Sequence, residues 1–168
     1  MQLWDFALTV YQSDTIKQRC LELQDDYGVD ICLLLGFLWM RKGGCRLAQF
    51  ECSNLVAELD DWQRTKTQAI RALRRRVKRI NGVSAQALSE VWYDAVLKLE
   101  LQAEHMALNR IEHIAVNRWN LILYPNATQQ WRLPMDLNNL GQALDTYLHM
   151  REVPQLKVDC LYACLLGV

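Results

Sequence analysis

The ten residues at 31–40, Ile-Cys-Leu-Leu-Leu-Gly-Phe-Leu-Trp-Met, constrain the fold more than any other stretch because none of them carries a charge. Asp30 precedes this run as a potential N-cap. Arg41-Lys42 follows it, and cations at this position stabilise the C-terminal end of a helix by interacting with its dipole. A helix that is apolar on every side either crosses a membrane or is surrounded by other helices. A membrane span needs about 20 such residues. The sequence therefore predicts a central helix enclosed by the protein's own helices.

The composition favours a single all-α domain. The chain has 168 residues, of which 51% are hydrophobic, and it contains only seven glycines and three prolines. This length corresponds to one domain, and the scarcity of turn-forming residues is typical of helical proteins. We predict one compact domain over residues 1–168, with seven or eight helices around 31–40 and an irregular excursion at about 117–134.

Helix signals recur along the rest of the chain. Ser13 and Gly28 are typical of the two ends of a helix, and Asp60-Asp61 predicts the start of another. The longest helix is predicted to run from Ser84 to about residue 115. Apolar spacing predicts which side chains of four helices face the core: Leu47, Phe50, Leu55, Val56 and Leu59; Leu88, Trp92, Ala95, Leu99, Met106 and Ile114; Leu137, Leu140, Leu144, Tyr147 and Leu148; Leu156, Cys160, Leu161, Cys164 and Leu165.

The segment from 62 to 82 is unusual in its charge. It contains eight of the 19 basic residues and none of the 19 acids, so the neutral total conceals a strongly basic helix. The basic residues are Arg64, Lys66, Arg71, Arg74, Arg75, Arg76, Lys78 and Arg79.

Several interpretations of this basic helix remain open. The guanidinium groups could pair with the protein's own acids, with Glu100, Glu104, Glu112 and the Asp60-Asp61 pair as candidates. They could instead bind a protein, a nucleic acid through its phosphates, or an anionic membrane surface. No aromatic residue lies between the arginines, which disfavours base stacking on this helix. The first interpretation predicts that Arg71, Arg74, Arg75 or Lys78 lies within ion-pair distance of Glu100 or Glu104.

Catalytic and cofactor signatures are weak. Glu104-His105 and Glu112-His113 lack the Glu-x-x-His spacing of helical di-iron sites. The six cysteines include no Cys-x-x-Cys pair, and the sequence has no phosphate-binding glycine loop. We expect no metal and no cofactor. The N-terminus lacks the features of a secretory signal, so we expect a cytoplasmic protein whose cysteines are free thiols that serve mainly as core packing.

Four segments carry a resemblance to a known family: residues 3–11, 20–39, 73–78 and 100–104. With these segments, the sequence resembles a family of short, uncharacterised gammaproteobacterial proteins classed as a domain of unknown function. The resemblance covers roughly the first two-thirds of the chain. It implies a cytoplasmic bacterial helical protein and supplies no activity and no catalytic residue.

These observations lead to three functional hypotheses. The first is a non-enzymatic protein-interaction or regulatory module without a membrane span, which binds an unknown protein partner through its basic helix. The residues expected to bind are Arg64, Arg71, Arg74, Arg75, Arg76, Lys78 and Arg79. The second hypothesis is an RNA- or ribosome-associated protein that uses the same helix. The third is a helical enzyme that uses Glu100, Glu104, His105, Glu112 and His113.

Overall fold

The computed structural model describes residues 1–42, 49–80, 86–119 and 142–166, and these residues form eight α-helices. A π-helical turn at Gln63–Thr67 joins the fourth and fifth helices into one continuous rod. The all-α class predicted from the sequence is confirmed. The helices are α1 (Leu3–Val10), α2 (Asp14–Tyr27), α3 (Ile31–Lys42), α4 (Gln49–Trp62), α5 (Gln68–Ile80), α6 (Gln86–Trp119), α7 (Gln142–Met150) and α8 (Gln155–Leu166).

The chain divides into two compact units, and the boundaries between them fall inside α4 and α6. One unit comprises Met1–Val56 and Leu108–Val168, and the other comprises Ala57–Ala107. A single domain over 1–168 stays a prediction. None of the described helices combines the length and the apolar character that crossing a membrane requires.

The first unit is built around α3, as the sequence predicts. All ten residues at 31–40 are buried. The Asp30 carboxylate caps the helix, because its Oδ1 accepts hydrogen bonds from the amides of Cys32 at 2.8 Å and Leu33 at 3.2 Å. The Asp30 amide in turn donates to the buried hydroxyl of Tyr147 on α7 at 2.6 Å. Burial is the main cause of a raised pKa at Tyr147, so this hydroxyl stays protonated.

Helices α1, α6 and α7 contribute the side chains that enclose α3. The rings of Phe37 and Tyr147 pack with their centroids 5.5 Å apart, and Trp39 Nε1 donates to the Met1 carbonyl at 3.0 Å. At Gly36 the backbone passes so close to α6 that an added Cβ would lie 2.7 Å from Cγ2 of Ile111. Glycine at this position therefore permits an approach that any larger residue would block.

Several helix ends follow the predicted chemistry, and one is capped from a distance. The Ser13 hydroxyl accepts from the Ile16 amide, and Gly28 ends α2 with a φ of 63°. At the start of α1, Gln2 provides no side-chain cap, and the Leu3 amide donates to Glu112 Oε2 at 2.7 Å. A carboxylate more than a hundred residues away in sequence thus satisfies an amide that has no partner within its own helix.

Some sequence-based boundaries are wrong. The rod of α4 and α5 does not restart at Asp60-Asp61 but continues through the π-helical turn. Helix α6 extends to Trp119, three residues into the predicted excursion, and the rest of that excursion lies outside the described residues. The prediction of a cap at Asp136 also lies outside them, as do the side chains of four predicted core residues, Leu47, Leu88, Leu137 and Leu140.

Within the first unit the core-facing predictions are mostly confirmed, with two errors at helix starts. Phe50 and Leu156, predicted to face the core, are strongly exposed. Both lie in the first turn of a helix, where the apolar spacing of the later turns does not fix the direction of the side chain. The residues confirmed as buried in these helices are Leu55, Val56, Leu59, Ile114, Leu144, Tyr147, Leu148, Leu161 and Leu165.

The close approach of α3 and α6 generates a stability prediction. We expect Gly36→Ala to destabilise the protein, because overpacking against Ile111 costs about 1–3 kcal/mol while alanine improves helix propensity by about 1 kcal/mol. Urea unfolding measures the change in the free energy of unfolding. As a control, the same substitution in an Ile111→Ala background should stabilise that background, since the clashing carbon is gone. A stabilising Gly36→Ala in the wild-type protein would contradict the packing described here.

Candidate functional site

The basic helix lies in the unit Ala57–Ala107, directly after the π-helical turn. Within this turn Gln63 and Thr67 are buried, although both are polar. Trp62 Nε1 and Thr67 Oγ1 are also buried and have no hydrogen-bond partner among the described residues. Spacings of about four residues place Gln63, Thr67 and Arg71 on one side of the rod. A row of polar groups therefore runs along the inner side of the rod, a feature that the sequence analysis missed.

Two arginines at the end of this row pair with two glutamates of α6. Arg71 Nε lies 3.2 Å from Glu100 Oε1, and Arg71 Nη2 lies 2.8 Å from Glu104 Oε1. Arg74 Nε lies 2.7 Å from Glu100 Oε2, a contact that has ion-pair distance but not hydrogen-bond direction. The prediction that the basic helix pairs internally with Glu100 or Glu104 is confirmed.

This ion-pair cluster is shielded from water. The side chain of Glu100 is only 8% exposed and that of Arg71 only 11%, whereas the side chain of Glu104 is 30% exposed. Burying a charge costs free energy unless an opposite charge pairs with it. Removing one member of the cluster should therefore destabilise the unit by more than the intact cluster stabilises it. Arg71 accordingly has a structural role, and a partner could reach its guanidinium group only by disrupting the pairing, whereas the Arg74 side chain is 31% exposed.

The other predicted binding residues behave differently. Arg75, Arg76 and Lys78 are exposed and make no ion pair with any described residue. Arg64 is exposed and lies 3.4 Å from Asp61, a surface pair of small energetic value. The side chain of Arg79 lies outside the described residues. The structure thus separates the predicted set into paired inner arginines and an outer basic surface, which consists of Arg75, Arg76 and Lys78.

The buried side of α6 in this unit differs from the prediction. Trp92, Leu99 and Met106, predicted to face the core, are at least half exposed, and Ala95, predicted with them, is exposed as well. The residues buried in their place are Val96, Glu100, Ala103 and Ala107. Glu100 can reach its two arginines only when this side of α6 faces α5. The bulky apolar side chains are consequently turned toward solvent.

The acidic residues considered for catalysis have other roles. Glu100 and Glu104 pair with arginines, and Glu112 caps α1. His113 is exposed and lies beside Asn117, whose Nδ2 is 3.0 Å from His113 Nε2. The described part of the chain contains no group of three His, Cys, Asp or Glu side chains placed to hold a metal ion.

Five cysteines are described, and all five are free thiols. Three are buried, as expected of core packing, while Cys160 and Cys164 on α8 are half-buried. Cys45 lies outside the described residues. Burial raises the pKa of Cys20 to about 12 and that of Cys52 to about 11. These two thiols are therefore poor nucleophiles in the folded protein.

The ion-pair cluster predicts unequal costs for two similar substitutions. We expect Glu100→Ala to lower the free energy of unfolding by about 3 kcal/mol, because Arg74 loses its carboxylate partner and Arg71 loses one of its two carboxylates. Glu104→Ala, at a more exposed carboxylate, should cost about 1 kcal/mol or less. Chemical denaturation of the two variants measures this difference. Equal costs would mean that the buried pairing does not hold α5 against α6.

The raised pKa values predict how the thiols react. Iodoacetamide at pH 8 should modify Cys160 and Cys164 in the native protein and leave Cys20 and Cys52 protected; mass spectrometry identifies the modified positions. In denaturant all four should react. Above about pH 9 these two thiols ionise in the unfolded chain but stay protonated in the folded protein. Ionisation therefore stabilises the unfolded state, and the free energy of unfolding should fall as the pH rises through this range. Rapid native modification of Cys20 would contradict its burial.

Comparison with known sequences and structures adds the family. The sequence profile of one family, described as "Protein of unknown function (DUF2390)", matches residues 2–111. The match spans all four segments in which the resemblance was noted. No curated protein and no solved structure matches the chain. Since the family profile covers well over half of the 168 residues, the chain belongs to the DUF2390 family of proteins of unknown function.

Proposed function

We propose that this protein is a non-enzymatic interaction module that binds an acidic protein partner through the outer basic surface of α5. The observation that supports the proposal is the contrast within one helix. Arg71 and Arg74 are neutralised by glutamates, whereas Arg75, Arg76 and Lys78 are exposed and unpaired among the described residues. Internal pairing therefore accounts for only part of the charge that the sequence concentrates here.

The unpaired cations have a physical consequence. Three like charges within four residues of one helix repel each other, and an anionic partner relieves this repulsion. Such a patch also attracts acidic partners over a distance of about 10 Å at moderate salt, beyond which screening removes the effect. We therefore expect binding that is fast and sensitive to salt.

A nucleic-acid ligand is the alternative, because phosphates would satisfy the same cations. Helix α5 contains no aromatic side chain on which a base could stack. A protein with surface carboxylates needs no such side chain, which is why we favour it. The two ligands differ in their response to nuclease.

We also propose a cytoplasmic location, in which thiols stay reduced. The support for it is that all five described cysteines are free.

The test is affinity capture from cell lysate at about 0.05 M and about 0.5 M salt, with and without nuclease. Wild-type protein should retain partners at low salt, lose most of them at high salt, and be unaffected by nuclease. Arg75→Glu/Arg76→Glu should abolish capture. The matched control is Lys17→Glu/Arg110→Glu, which changes the net charge equally at two exposed residues of the other unit and should bind normally.

The outcomes separate the alternatives. Equal loss with both double variants would mean that only net charge matters and would contradict a specific surface on α5. Nuclease-sensitive capture that Arg75→Glu/Arg76→Glu abolishes would replace the protein partner with RNA or DNA. Unchanged capture by this variant would refute the role of the surface.

A further inference from the structure

An exposed apolar stripe runs along α6 beside the basic helix. Trp92, Leu99 and Met106 lie seven residues apart and are 63%, 50% and 55% exposed. Ala95 and Gln102, also exposed, lie between them in a three-four spacing. This spacing is typical of the seam of a coiled coil, in which side chains of one helix insert between those of another. Isolated exposed apolar residues are common on protein surfaces, but a regular row of large ones marks an interaction site.

The ion pairs show where this stripe lies relative to α5. Arg71 pairs with Glu100 and Glu104, whereas the later residue Arg74 pairs with Glu100, so α5 and α6 run antiparallel. The ion-pair cluster lies on one side of these two helices. At about 100° of rotation per residue, the α6 stripe falls on the other side.

The same rotation places Leu73 of α5 on the side of the stripe. Its side chain is about half exposed. Leu73, Trp92, Leu99 and Met106 together form one surface, which we call the apolar face.

The charges around the apolar face are chiefly basic. Arg76 follows Leu73 by three residues on the same side of α5, and Lys98 lies between Ala95 and Gln102 on α6; both are exposed. Helix α5 contains no acidic residue, so its edge of the face is wholly basic. A partner that buries the apolar face must therefore present carboxylates to this edge.

We propose that the apolar face receives an amphipathic helix of another protein, whose apolar stripe packs against Leu99 and Met106 and whose acidic flank pairs with Arg76. This proposal rests on the proposed function and deepens it, because it specifies the acidic partner as a helix and adds an apolar contact to the basic one. The seven-residue spacing fixes the geometry of docking, since the incoming helix lies along the groove between α5 and α6.

Charge disfavours two other occupants. A second copy of this chain that packed its own α6 antiparallel about Leu99 would bring Lys98 against Lys98 of the copy. Residues 120–141 of this chain contain one acid, Asp136, and one base, Arg132, and so provide no acidic flank.

Two designed peptides test the proposal by fluorescence anisotropy. Both are three heptads long with leucine at every a and d position; one carries glutamate at the flanking e and g positions and the other carries lysine. The glutamate peptide should bind the wild-type protein, and the lysine peptide should not. Leu99→Lys/Met106→Lys should weaken binding of the glutamate peptide at least about tenfold, although it adds positive charge, because the buried apolar contact is lost.

Matched variants locate the surface. Leu97→Lys/Leu101→Lys replaces two exposed leucines on the opposite side of α6 and should bind the glutamate peptide at least as well as wild type. Circular dichroism confirms that both double variants remain folded. Arg76→Glu should weaken binding of the glutamate peptide by several-fold.

The outcomes distinguish this proposal from the broader one. If Arg75→Glu/Arg76→Glu abolishes capture from lysate but Leu99→Lys/Met106→Lys leaves peptide binding unchanged, the basic surface stands and the apolar face is refuted. Absence of glutamate-peptide binding to wild type also refutes it. So does a dimer in sedimentation that Leu99→Lys/Met106→Lys dissociates, or binding to phosphatidylserine vesicles that this variant alone abolishes, since these results assign the face to a second copy or to a membrane.

Discussion

Burial of the ten-residue apolar segment of α3 is the interaction on which the first unit depends. No side chain in that segment is charged, and the indole N–H of Trp39 is bound within the protein, so the unit must supply neighbours on every side. The chain meets this demand with a glycine where α6 approaches and with a carboxylate at the N-terminus of the helix. The contact of Gly36 with Ile111 and the capping of α3 by Asp30 are therefore consequences of one constraint.

A different constraint governs the unit Ala57–Ala107. Among the described residues of this unit few large apolar side chains are buried, and a nearly buried glutamate stands where a hydrophobic residue would be expected. Glu100 is tolerated there because Arg71 and Arg74 approach it from α5. Both ion pairs require that Glu100 face α5, so the cluster is compatible with only a narrow range of rotations of α6 against α5.

The sequence predicts elements that depend on local chemistry. The all-apolar run, the Asp30 and Ser13 caps and the αL glycine at Gly28 each follow from neighbouring residues. The pairing of Arg71 with Glu100 is also predictable, because an acid-free basic helix needs counterions. The exposed side of α6 is not predictable from the sequence, since apolar spacing alone marks Trp92, Leu99 and Met106 as core. The rotation of α6 that brings Glu100 to Arg71 leaves these three side chains in solvent instead. That rotation involves a contact between two residues 29 positions apart in the sequence, which apolar spacing within α6 does not reveal.

The same reversal connects the fold to the proposed function. If Trp92, Leu99 and Met106 were packed inside, the basic helix would adjoin an ordinary polar surface and would attract any polyanion. With Glu100 inside, three large apolar side chains lie beside cations that have no internal partner among the described residues. Electrostatic attraction alone is weakly selective, whereas burial of a regular apolar row demands a partner of matching shape and spacing. A buried glutamate therefore creates the conditions for a selective surface on an adjoining side of the same helix.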